Sequence, residues 1–186
     1  MSDETTSTPA AKVKVATVWL DGCSGCHMSF LDIDERLIEL AGRIELVYSP
    51  LVDNKVFPEA VDVTIVEGAV STDEDLAKIR KIRAHTKTLI ALGDCAVTSN
   101  VPGMRNAIGA EPVLRRAFFE NVDLQPQTPA RHLPTLLERV RPVHEVVPVD
   151  VFVPGCPPPA DAIWRVLSDL LDGKTPPVSQ LTRFGA

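Results

Sequence analysis

The chain has 186 residues, 45% of them apolar, which suffices to bury one substantial core and leaves a second independent domain cramped. Its 25 acidic residues outnumber 19 lysines and arginines for a net charge of -6, and the bases are interleaved with acids, so no dense basic face exists to neutralise phosphates and nucleic acid is excluded as the expected partner. No apolar run reaches the length of a membrane span, and the polar first residues show neither a hydrophobic signal region nor paired arginines, so the expectation is a cytoplasmic protein.

Residues 1–12, rich in Ser, Thr, Asp and Glu, read as a disordered leader, and residues 13–186 as one domain. Val13 to Leu20 is a β-branched apolar run and reads as the first strand. The turn Asp21-Gly22-Cys23-Ser24-Gly25-Cys26-His27 follows, with Gly22 and Gly25 expected to let the backbone fold two thiols toward one point. Phe30 to Leu40 reads as a helix whose start favours thiolate, with Gly42 as its stop, and Arg43 to Tyr48 as the second strand. A Pro-containing connection leads to a third strand, Val61 to Val66, ending in Glu67-Gly68. Ser71 to Asp75 opens a helix with a capping residue and acids, and Lys78, Arg80, Lys81 and Arg83 close it with cations. Lys87 to Leu92 is the fourth strand and runs into Gly93-Asp94-Cys95. Residues 97–145 are broken by prolines, with short helices expected near Val113 to Phe119 and Thr135 to Val140. Val149 to Val153 is the fifth strand, followed by Pro154-Gly155-Cys156-Pro157-Pro158-Pro159 and a helix from Ala160 to Leu171. Strands alternating with helices imply a doubly wound, flavodoxin-like parallel sheet, an α/β single domain with helices on both faces.

All four cysteines lie just past the carboxyl ends of expected strands, the edge where open α/β sheets bind ligands. Four thiols converging there suit an iron–sulfur cluster or a tetrahedral zinc, since soft sulfur donors select those metals. Zinc sites usually collect tight Cys-x-x-Cys knuckles, whereas Cys95 and Cys156 are singletons; a thioredoxin-like dithiol would explain Cys23 and Cys26 alone. Glu67, on the same edge, is read either as a polar group or proton relay behind the ligands or as a solvated strand-end acid. Asp21 and Asp94 are expected to brace their turns, His27 to lie on a helix surface, and Trp19 and Trp164 to belong to the core. The prolines after Cys156 stiffen its approach.

Cys23-Ser24-Gly25-Cys26, Val66-Glu67-Gly68-Ala69, Gly93-Asp94-Cys95 and Gly155-Cys156-Pro157-Pro158, in that order, resemble the motifs of nickel–iron hydrogenase small subunits. The resemblance runs from about Val13 to Leu171. It implies a flavodoxin-like domain holding one proximal 4Fe–4S cluster on Cys23, Cys26, Cys95 and Cys156, with the nickel–iron centre in a partner large subunit. The longer members carry a further domain with more clusters and often a twin-arginine leader; the expectation here is a single cluster. That shortness resembles the small subunit of soluble bidirectional NAD-reducing hydrogenases, whose electrons pass to diaphorase iron–sulfur and flavin subunits. FMN is a cofactor of some such members, and no flavin-specific motif marks this chain. The alternative is the cluster-bearing subunit of a complex I-like quinone oxidoreductase, which has adjacent cysteines where this chain has a spaced pair.

Overall fold

The computed structural model describes residues 11–128 and 133–185. The leader expected over residues 1–12 lies, through residue 10, outside the described residues. The elements are β1 (Val13–Trp19), α1 (Gly25–Leu31), α2 (Arg36–Arg43), β2 (Ile44–Tyr48), β3 (Val61–Glu67), β4 (Val70–Thr72), α3 (Asp73–Ala84), β5 (Thr86–Leu92), α4 (Gly93–Thr98), α5 (Asn100–Gly103), α6 (Ala110–Arg115), β6 (Leu136–Arg141), β7 (Val151–Val153), α7 (Ala160–Leu171) and α8 (Val178–Leu181). Short 3-10 and π turns link α5, α6 and the segment after β6.

Five strands pair in parallel in the order β2-β1-β3-β5-β7. The order in which successive strands are added reverses between β1 and β3, which is the flavodoxin-like arrangement with its crevice at the carboxyl ends of those strands. The central strands are buried on both faces, so they read as continuous apolar runs. In β5, Leu89 and Ala91 join one core with Ile79 and Ile82 of α3 and Ala96 and Val97 of α4. Ile90 and Leu92 join the other, with Phe30 of α1, Leu40 of α2 and Ile163, Val166 and Leu167 of α7. Period-two alternation thus feeds two helical layers from one strand.

The strand ends and the helix Ala160–Leu171 match the sequence reading closely. Thr72 caps α3 through a reciprocal capping box with Asp75, behind which Asp73, Glu74 and the terminal Lys81 and Arg83 complement the helix dipole.

Three expectations fail. The single helix over Phe30 to Leu40 is two helices, because Asp34 takes a left-handed φ of 59° between them. Gly42 lies inside α2 and does not end it; the helix stops where Ile44 turns extended and pairs with β1. The helix expected over Thr135 to Val140 is the strand β6, which pairs antiparallel with β4 in a second, two-stranded sheet. The charged run Leu136-Leu137-Glu138-Arg139-Val140-Arg141 carries no strand signature, and a distant partner overrides its local preference.

Candidate metal centre

β1, β5 and β7 end at the same edge of the sheet, and each releases a cysteine-bearing loop there. Cys23 and Cys26 follow β1, Cys95 lies in the first turn of α4 directly after β5, and Cys156 follows β7. All four are free thiols, Cys23 and Cys156 exposed and Cys26 and Cys95 half-buried. Sequence positions up to 133 residues apart, from Cys23 to Cys156, therefore meet because a parallel sheet puts every carboxyl end on one side.

Two carboxylates hold these loops in place. Glu67, the last residue of β3, is only 5% exposed, which rules out the solvated strand-end reading. Its Oε2 accepts the His27 N–H at 2.9 Å, and the nearby Cys26 N–H and Ser24 hydroxyl favour its ionised form. The Cys-x-x-Cys turn is wrapped around a buried acid from the neighbouring strand. Asp94, also buried, does the same for the other pair of loops: its Oδ1 accepts the Gly155 N–H at 2.7 Å and its Oδ2 the Gly185 N–H at 2.9 Å. Its own N–H donates to the Gly155 carbonyl at 2.8 Å, so the residue before Cys95 is bonded in both directions to the residue before Cys156. Asp94 braces as expected. Asp21 does so only through its backbone, which exchanges two bonds with Ala69 while its side chain is exposed.

Close approach depends on glycine at two points. Gly93 has φ +84°, and a Cβ there would run into the Cys26 sulfur. Gly155 has φ +138°, and its Cβ would strike the Pro158 backbone at 2.6 Å. In the Cys23–Cys26 turn the left-handed residue is Ser24, with φ 63°, and neither Gly22 nor Gly25 fills that role.

His27 is the other correction. It is 5% exposed, its ring accepts from the Trp19 indole N–H at Nδ1, and it packs edge-on against Trp19 and Phe30. Burial holds its pKa below the ordinary value, keeping the ring neutral. A core histidine, not a helix-surface one, thus anchors α1. Ser29 adds a tie across the site, its hydroxyl donating to the Pro158 carbonyl at 2.5 Å. Trp164 packs partly buried against the α7 side of the core, with the Arg36 guanidinium 5.5 Å from its ring centre.

Electrostatics set the chemistry. Burial pushes the Cys26 thiol far up, and Glu67 and the other three cysteines push it the same way. Burial raises Cys95 too, against the opposing pull of the Val101 backbone N–H. The start of α1 does not make Cys26 a ready thiolate, because desolvation outweighs the helix dipole. Among the described residues no lysine or arginine acts on Cys26 or Cys95, so four thiolates gathered here would call for positive charge from a metal centre, whose binding would release the protons. Among the described residues, no three His, Cys, Asp or Glu side chains cluster tightly enough for one metal ion. The four thiols still act on one another electrostatically, as fits a wider multi-iron cluster in which each thiolate ligates its own iron.

Residues 23–170 match the family model described as the 20 kDa subunit of NADH ubiquinone oxidoreductase. The chain belongs to that family. It is 42% identical over 168 residues to the delta subunit of the NAD-reducing hydrogenase HoxS of Cupriavidus necator, covering 88% of this chain and 80% of that one. It is 37% identical over 166 residues to one subunit of the F420-non-reducing hydrogenase vhu of Methanocaldococcus jannaschii, covering 88% of this chain and only 58% of that longer one. In structure it matches a chain of the NAD+-reducing nickel–iron hydrogenase in its H2-reduced state, with a TM-score of 0.89 and 40% identity over 94% of this chain and 99% of that one. These relatives are subunits of oxidoreductase complexes, and they bear out the likeness to hydrogenase small subunits read from the cysteine motifs. No helix among the described residues is long and apolar enough to cross a membrane.

Sequence reasoning passed over Ser24, Ser29 and Asn100, whose amide lies 3.6 Å from the Cys156 sulfur. Their partners are 43, 129 and 56 residues away, and nothing local marks them.

Proposed function

We propose that this chain is the electron-transfer small subunit of a cytoplasmic, NAD(P)-reducing nickel–iron hydrogenase, and that Cys23, Cys26, Cys95 and Cys156 hold one 4Fe–4S cluster. The observation that carries the reading is the convergence of four free thiols at one edge of a doubly wound sheet, with no cation among the described residues acting on the half-buried pair. The likeness to the Cupriavidus necator delta subunit supports the choice of complex.

A cluster bound there supplies a one-electron store between two partners. In such a complex hydrogen would be split at the nickel–iron site of a large subunit, and this chain would pass the electrons toward the iron–sulfur and flavin subunits of a diaphorase. Residues 13–186 form the cluster-bearing domain. Glu67 acts behind the ligands: by holding the His27 backbone N–H it fixes the turn that presents Cys23 and Cys26. Asp94 sets Cys95 and Cys156 at a constant separation. The loops over residues 54–58 and 97–110 are the contact surfaces, and they expose Val56, Val101, Met104 and Ile108 to cover.

The description of the matching family favours a second reading, the cluster-bearing subunit of a complex I-like quinone oxidoreductase. The spaced cysteine pair argues for hydrogenase. Anaerobic purification with iron, sulfide and zinc analysis tests the centre: about four irons per chain are expected, and one zinc without sulfide would overturn it. Cys95→Ser should abolish the cluster and hydrogen-dependent NAD reduction while sparing diaphorase activity; unchanged hydrogen oxidation would refute the electron-carrier role. A copurifying partner with two Cys-x-x-Cys pairs decides between the two complexes.

A further inference from the structure

Two of the four cysteine sulfurs lie within hydrogen-bond distance of an N–H, and they receive it differently. The Gly25 backbone donates to Cys23 at 3.4 Å. Cys156 is served by a side chain, the Asn100 amide, whose Nδ2 lies 3.6 Å from its sulfur. That contact follows from an unusual piece of backbone. Ser99 and Asn100 are consecutive non-glycine residues at positive φ, 69° and 24°. Ser99 is 4% exposed and its hydroxyl has no hydrogen-bond partner among the described residues, so no polar bond of the side chain there explains the conformation. Left-handed backbone costs a non-glycine residue about 1–2 kcal/mol, and persists where the surroundings over-determine it. Here it ends α4 three residues past Cys95 and turns the chain into α5, with Asn100 facing the loop of Cys156.

We propose that Asn100 is a tuning residue for the centre, its amide donating to the Cys156 sulfur and raising the reduction potential of a cluster held there. The inference rests on the cluster reading above. A hydrogen bond to a ligating thiolate draws off negative charge, and that favours the reduced, more negative state; such bonds are among the protein's main levers on cluster potential. Of the two donors, Asn100 is the one that a substitution can remove without deleting a backbone amide. It also joins two separate cysteine loops, since it follows Cys95 by five positions and reaches Cys156 across 56.

The test is a redox titration of the purified complex followed by electron paramagnetic resonance, with iron and sulfide content measured on the same samples. Asn100→Ala and Asn100→Gly both remove the amide, and glycine also accepts the positive φ without strain. Both should keep full iron and shift the midpoint potential to more negative values by similar amounts. Asn100→Asp puts a carboxylate beside the sulfur and should shift it further. A potential unmoved in the alanine and glycine variants, with iron intact, overturns the assignment. Loss of iron in the glycine variant also overturns it, since Asn100 would then serve assembly. A wild-type complex without iron in this subunit would sink the electron-carrier reading itself, a result that full iron with an unmoved potential cannot mimic.

Discussion

Strand β3 carries a carboxylate near each end, and the two stand in opposite surroundings. Asp62, at the amino end, is half-buried, bonds the Lys87 ammonium at 2.6 Å and accepts the Lys14 N–H at 2.9 Å. These partners hold it below the ordinary carboxylate value. Glu67, at the carboxyl end, is buried with only neutral donors, and burial pushes its pKa up despite them. The amino end of the sheet is a surface where charge is paired and wet. At the carboxyl end the acid is buried beneath half-exposed cysteine loops and, among the described residues, has no cation paired with it, which leaves a metal centre to supply the positive charge.

Substitutions that close the space at the carboxyl end should have the largest effect. Gly93→Ala places a methyl group into the Cys26 sulfur from a left-handed backbone, with an expected loss of about 2–4 kcal/mol from overpacking and strain together. Chemical denaturation should show that loss, and iron analysis a depleted centre. Asp94→Ala should come next, because it leaves the Gly155 N–H buried without its acceptor, at about 1–3 kcal/mol. Loosening the tie between the Cys95 and Cys156 loops should make the centre more labile to chelators, and a chelation rate equal to wild type would count against the brace.

The two ends of β3 should also respond oppositely to pH. Glu67 is raised above its ordinary 4.5, so the unfolded chain ionises first and stability falls as pH climbs through the raised value. Glu67→Gln should remove that fall in Tm in the metal-free chain. Asp62 is lowered below its ordinary 3.8, so its contribution is present above 3.8 and is lost as pH drops through the lowered value. Asp62→Asn should cost about 0.2–1 kcal/mol at neutral pH, less at high salt, with no change in iron content. If both variants shift Tm with pH in the same direction, the contrast between the two ends fails.

Much of this was legible in the residues. The strand–turn–helix rhythm predicts the parallel sheet, because strands covered on both faces must be apolar throughout, and the position of each cysteine after a strand predicts a common edge. Where local pattern and distant contact disagree, the reading fails: Leu136 to Arg141 looks helical and is held as a strand by Val70 to Thr72. His27 looks like a surface residue beside a thiol, and Trp19, Phe30 and a Glu67-bound backbone make it core.

By itself the sequence determined the kind of chemistry available, four soft donors on turns, and the architecture that brings turns together, since both depend on residue type and periodicity. Tertiary structure alone decided how the turns are held: Glu67 beneath one loop, Asp94 between two others, Gly93 against Cys26, and Asn100 on Cys156. Those contacts join positions tens of residues apart, and a buried polar group takes whichever partner the packing places within hydrogen-bond reach.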